Sequence, residues 1–198
     1  QRSRMPQLPL VESDKRVLKE DYCNYDLIAR FWNDEYRGRV WKNKERVADY
    51  EGTDLEEIMD ALRAIVDGLQ QEKRRQRGKK KPAAREIADA IIGVEPKLSR
   101  AQKMMLAIHA KSAAQRLNVR AISRVGDYAS AEGAFAEYAE VARRVCDELA
   151  YNPGSRKKDH YPGAALFFEE EIIVGSVNAD TVLTLRPEIG RALEILKW

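Results

Sequence analysis

The spacing of apolar residues predicts helices over most of the chain and strands only near its end. From Asn24 to Arg37, the residues Leu27, Ile28, Phe31 and Trp32 fall on one helical face, and Gly38 supplies a stop. Residues 38–52, GRVWKNKERVADYEG, mix Trp41 and Tyr50 with lysines and arginines in neither period, and read as a loop or irregular hairpin. At Thr53 the pattern sharpens. TDLE places a hydroxyl three residues before Glu56, the spacing of a capping box. Leu55, Ile58, Met59, Leu62, Ile65, Val66 and Leu69 then repeat at steps of three and four, a stripe that must bury against something. The acidic start and basic end of this helix complement its dipole, at about 0.3–1 kcal/mol per charge.

Pro82 suits the first turn of a second helix, PAAREIADAIIG, which stops near Gly93. Ser99 and Gln102 form another capping-box pair, opening an apolar helix from about Arg100 to Leu117 or beyond. After Gly126 and Asp127, the positions Tyr128, Ala131, Phe135, Tyr138, Ala142, Val145 and Leu149 alternate steps of three and four, the pattern of a helix–helix seam. The proline- and glycine-containing AYNPGSRKKDHYPG ends the helical part. AALFFEEEIIV and TVLTLRP then read as two strands joined by a loop over residues 175–180, and Pro187 opens a closing helix. The expected fold is mainly α, a multi-helix core with a C-terminal β-hairpin and closing helix forming a small α+β lobe. Helices followed by a basic loop and a hairpin also suit a winged helix. The expected organisation is an extended arm over 1–22, a helical region over 23–81 ending in a basic run, a central helical domain over 82–150, and the hairpin with its helix over 151–198.

Two short stretches carry family resemblances. SAAQRLNVRAISRV, residues 112–125, resembles the helix-turn-helix of DNA-binding repressors in its Ala-Ala, Leu-x-Val and Ser-Arg-Val pieces, with a shorter gap between Val119 and Ile122 than that motif uses. GDYASAEGAF, residues 126–135, resembles the turn and second helix of a tetratricopeptide repeat at Gly126, Asp127, Tyr128, Ala131 and Phe135. It occurs in one copy where that architecture needs several, and an ordinary αα-hairpin accounts for it.

Composition narrows the function classes. With 44% hydrophobic residues in 198, the chain can bury a real core; with 34% charged residues and a net charge of only +3, its basic character must come from clustering. Cys23 and Cys146 lie far apart with no CxxC pair, which argues against a structural zinc site or a disulfide scaffold and for a reducing compartment. No apolar run reaches the roughly 18 residues of a membrane span, so the expected location is cytoplasmic, or nuclear in a eukaryotic cell. The chain opens at Gln1 without an initiator Met, which suggests that residues upstream have been removed.

The clusters themselves point to phosphate. Lys73, Arg74, Arg75, Arg77, Lys79, Lys80 and Lys81 have one near acid, Glu72; Arg156, Lys157 and Lys158 sit beside His160 and Tyr161; Arg37, Arg39, Lys42 and Lys44 surround Trp41. Phosphate-pairing cations interleaved with stacking aromatics are what nucleic-acid contact requires. Catalytic signals are thin. His109 lies in an apolar helix without a metal-spaced neighbour, Asp159-His160 lacks an announced nucleophile, Glu169–Glu171 alternate sides if on a strand, and Gly78-Lys79 lacks the earlier glycine of a phosphate loop. The sequence therefore leads us to expect a non-catalytic nucleic-acid-binding protein, for DNA or RNA, within a larger complex, with no cofactor and no metal. The alternative is a helical adaptor or structural subunit, joined to protein partners or to its own copies through Tyr128, Ala131, Phe135, Tyr138, Ala142, Val145 and Leu149.

Overall fold

Four antiparallel strands open the fold: β1 (Val17–Tyr22), β2 (Tyr25–Trp32), β3 (Glu35–Lys42) and β4 (Glu45–Gly52), in the order 1-2-3-4. The computed structural model describes residues 15–154 and 160–198. The strands are joined by Cys23-Asn24, Asn33-Asp34 and Asn43-Lys44, and all six turn residues have φ between 49° and 69°. Positive φ at both central residues is the twist that lets a two-residue turn close a hairpin, and Asn and Asp tolerate it best after glycine.

This sheet replaces the helix expected at 24–37 and the loop expected at 38–52, and it overturns the mainly helical fold with a C-terminal hairpin. Leu27, Ile28, Phe31 and Trp32 do fit a helical arc, but they divide between two faces of a strand. Tyr25, Leu27 and Ala29 are buried, whereas Asp26, Ile28, Arg30 and Trp32 alternate with them on the other side. Gly38 is not a stop either. It lies in mid-strand, where a Cβ would stand 2.3 Å from Ile58 Cγ2, so a side chain there would push the helix off the sheet. The expected arm over 1–22 is a strand in its last residues, and residues 1–14 lie outside the described residues.

The chain divides into two units, Gln1–Asp67 and Gly68–Trp198. In the first, residues 55–67 of the long helix α1 (Leu55–Arg77) cover one sheet face with Leu55, Ile58, Met59, Leu62 and Val66. Its cap falls one residue later than the sequence suggests. Asp54 accepts from the Glu57 amide at 2.8 Å, and Glu57 reaches back to the Thr53 amide and hydroxyl at 2.8 and 2.6 Å, which holds the Glu57 carboxyl below its ordinary pKa. Arg63 clamps helix to sheet, donating to Glu20 of β1 at 2.7 and 2.9 Å. Tyr22 donates to Asp67 at 2.8 Å, and the carboxylate pushes its phenol up to about 12.

The second unit contains α2 (Ala84–Val94), α3 (Arg100–Lys111), α4 (Val119–Gly126), α5 (Ala131–Leu149), the single turn α6 (Ala164–Phe167) and α7 (Pro187–Leu196). Strands β5 (Arg116–Asn118) and β6 (Val182–Thr184) pair antiparallel. The Ser99–Gln102 capping box is present in both directions, and Pro187 occupies the first turn of α7. The helix expected to run from Arg100 to Leu117 ends at Lys111, because Ala114 and Gln115 turn left-handed and lead into β5. The same strand breaks the connection that a helix-turn-helix would need.

The expected C-terminal hairpin, and with it the wing, does not form. Phe167 and Phe168 are drawn into an aromatic cluster with Phe135 and Tyr138, which curls residues 164–167 into a helical turn. Fragments of pairing survive, a Phe168–Leu185 bridge with the Glu169 amide donating to the Thr184 carbonyl and the Arg186 amide to the Phe167 carbonyl, while β6 takes β5 as its partner. Among the described residues no helix is long and apolar enough to cross a membrane.

Candidate nucleic-acid interface

The sheet face turned away from α1 concentrates cations and aromatics. Strand register sets its rows: Arg30 lies opposite Arg37, Ile28 opposite Arg39, and Asp26 opposite Trp41, while Val17 and Lys19 of β1 flank Arg30 and Ile28. Alternate residues of a strand are about 6.8 Å apart and directly paired ones about 5 Å, so Arg30, Arg37 and Arg39 form one cluster at the centre of the face. Trp32 and Trp41 bracket it. Arg30 stacks on Trp32 at 3.9 Å from the ring centroid, and Trp32 remains 46% exposed. The face encloses a concavity of about 540 Å³.

Acids on β3 and β4 partly neutralise this cluster. Arg37 pairs with Glu35 at 2.5 Å and Glu51 at 3.7 Å, Arg39 with Asp49 at 3.3 Å, and Arg46 with Asp49 at 3.4 Å. The Glu35 hydrogen bond raises the Arg37 pKa further. Among the described residues no carboxylate pairs with Lys19 or Arg30. Exposed pairs of this kind contribute about 0–1 kcal/mol, whereas an arginine–phosphate fork is charge-assisted and bidentate. A phosphate can therefore displace Glu51 or Asp49 at small cost.

The other expected contact residues lie apart from this face. Lys42 turns to the inner side, 4.8 Å from the Tyr25 ring centroid and donating to the Asn24 carbonyl at 3.5 Å; Lys44 forms part of a turn. In the basic run, Arg77 is engaged as a strut. Its side chain is 15% exposed, donates to the Leu149 carbonyl at 2.9 Å and pairs with Glu86 at 3.0 Å. Arg75 folds back onto Glu72 at 2.7 Å. Lys73 and Arg74 lie exposed on the last turns of α1, and Lys79, Lys80 and Lys81 are exposed beyond the left-handed Gly78 that ends it. Arg156, Lys157 and Lys158 lie outside the described residues.

The seam expected to receive a partner is filled from within. Phe135, Tyr138, Ala142, Val145 and Leu149 are buried in the second unit's own core, and Tyr128 and Ala131 pack against it. A surface pattern this regular marks an internal packing face as readily as an external one.

The candidate catalytic groups are likewise absorbed by the fold. His109 is fully buried; its Nε2 lies 3.1 Å from the Leu183 carbonyl, so that nitrogen carries the proton and Nδ1 accepts from the Tyr138 hydroxyl at 2.9 Å. Burial lowers its pKa below the ordinary histidine value. His160 meets Glu171 at 3.3 Å, Glu170 accepts from the Thr184 amide at 2.7 Å, and Asp159 lies outside the described residues. Among the described residues, no three His, Cys, Asp or Glu side chains converge in a metal-like group.

Sequence reading missed Lys19, Arg30 and Trp32, because it leaves Lys19 in an extended arm and a helix over 24–37 turns Arg30 and Trp32 to different sides. The available signal was the recurrence of Asn- and Asp-bearing turns every ten residues. Comparison with protein-family models, with curated proteins and with solved structures finds no match.

Proposed function

We propose that the protein binds nucleic acid through the outer face of its N-terminal sheet, with Arg30, Arg37, Arg39 and Lys19 pairing with phosphates and Trp32 and Trp41 stacking on exposed bases or sugars. The observation that carries this reading is the direct cross-strand pairing of Arg30 with Arg37 beside Arg39 on a solvent face. Like charges set opposite one another weaken a sheet, so their placement there favours an anionic ligand over stability. The exposed lysines at 79–81 are a further set of phosphate-pairing groups.

The test is fluorescence anisotropy with labelled duplex DNA, single-stranded DNA and RNA across a salt series. The chain's three tryptophans, two of them on this face, give an intrinsic signal as well. Arg30→Gln/Arg37→Gln/Arg39→Gln is expected to lower the salt slope by roughly 2–3, about 0.9 per phosphate lost. Unchanged affinity in that variant, or no binding by the wild-type chain at low salt, sinks the reading. A second reading, a subunit of a protein assembly, draws on Ile92 and Ile195, exposed at 53% and 43% on α2 and α7, which pack together. Light scattering of the purified chain tests it, a monomer at all concentrations counting against self-assembly.

A further inference from the structure

Residues 96–126 contain seven Lys or Arg and no Asp or Glu, in a chain that holds 32 acids among 198 residues. The fold turns most of these cations outward. Arg100, Lys103 and Lys111 share the side of α3 opposite the buried Met105, Leu106 and His109. Arg120 and Arg124 lie one turn apart on α4, opposite the buried Val119 and Ile122, and Arg116 is exposed on β5 immediately before them. The two helices pack on one another.

We propose that the solvent faces of α3, β5 and α4 form a second nucleic-acid-binding surface, with Arg116, Arg120 and Arg124 as its centre and Arg100 and Lys111 as flanking phosphate contacts. It rests on the proposed function in one respect, that the polyanion is a nucleic acid; its residues belong to the other unit and its test is separate.

Three observations support it. First, neutralisation is sparse. Arg120 meets Asp180 at 2.7 Å with both side chains more than half exposed, and Lys103 meets Glu95 at 3.5 Å. Among the described residues no ion pair involves Arg100, Lys111, Arg116 or Arg124. Second, the arrangement works against helix stability. Arg120 and Arg124 are like charges at i,i+4, and the first turns of α3 and α4 carry Arg100 and Arg120 with no acid, the wrong sign for the helix dipole. A phosphate chain laid across the patch relieves both penalties. Third, the connection from Lys111 to Arg116 runs through Ser112, Ala113 and Ala114, short side chains that leave a backbone room to approach, while the Gln115 amide packs over Gly190.

The experiment uses the full chain and a labelled DNA duplex of about three helical turns, with anisotropy read over a salt series. Arg116→Gln/Arg120→Gln/Arg124→Gln is expected to lower the salt slope by about 2–3 and to weaken binding tenfold or more at about 0.1 M salt. The triple Arg→Lys variant, which keeps the charge, is expected to retain the slope. Arg116→Gln/Arg124→Gln leaves the Arg120–Asp180 pair intact; with an unchanged circular dichroism spectrum and melting temperature, it should still lower the slope by roughly 2. If both glutamine variants bind as wild type while the sheet variant loses binding, this inference is overturned and the sheet reading stands. If the sheet variant binds as wild type and these do not, the reverse holds. Wild-type affinity for polyglutamate with none for duplex DNA, single-stranded DNA or RNA overturns both.

Discussion

Replacing Arg77 by alanine separates a structural arginine from its phosphate-facing neighbours. Arg77 sits in a run of cations that sequence alone treats as equivalent, yet its guanidinium bridges the carbonyl of Leu149, at the end of α5, and the carboxylate of Glu86, in the first turn of α2. A hydrogen bond from a charged donor contributes about 1.5–3 kcal/mol. The pair with half-exposed Glu86 adds about 0–1 kcal/mol. The expected loss is therefore about 2–3 kcal/mol, which at a urea slope of roughly 2 kcal/mol/M moves the unfolding midpoint down by about 1 M or more. Glu86 keeps its second role, accepting from the Ala83 amide at 2.9 Å, so Glu86→Gln is expected to lower stability by about 1 kcal/mol or less. Lys79→Ala/Lys80→Ala/Lys81→Ala, which removes only exposed charge, should stay within about 0.5 kcal/mol per site. The assay is urea unfolding followed by far-ultraviolet circular dichroism. A midpoint for Arg77→Ala that coincides with the triple-lysine variant would refute the strut.

Two further predictions concern packing and protonation. Gly38→Ala sets a Cβ against Ile58 and should cost about 1–3 kcal/mol. Adding Ile58→Leu, which removes the Cγ2 at fault, should recover part of the lost melting temperature, and failure to do so would place the strain elsewhere. His109 is buried and neutral with its pKa lowered mainly by desolvation, so the unfolded chain binds its proton first. Its contribution is fully present above the ordinary histidine value of 6.5 and is lost as pH falls below it, by up to about 1.4 kcal/mol per pH unit. His109→Gln should flatten that part of the stability profile; an unaltered profile between mildly acidic and neutral pH would discount the buried histidine.

What the chain determines by itself is local. The stripe on α1, the Ser99–Gln102 box, Pro187 at the start of α7 and the apolar stripe of α5, though not what covers that stripe, follow from spacing and from backbone groups a few residues apart, and they are legible before any fold is known. Tertiary structure decided the rest. Leu27, Ile28, Phe31 and Trp32 satisfy a helix and a strand equally well in isolation. Only pairing with β1 and β3, and burial of Leu27 and Ala29 beneath α1, selects the strand and brings Arg30 opposite Arg37. AALFFEEEIIV and TVLTLRP have strand composition, but the space beside Phe135 and Tyr138 claims Phe167 and Phe168, and β6 finds its partner some 66 residues upstream in β5. Charge follows the same division. Composition counts the cations, whereas exposure and the nearest carboxylate decide which of them an external phosphate can reach: a buried carbonyl takes Arg77, and solvent is left to Arg30, Arg116 and Arg124.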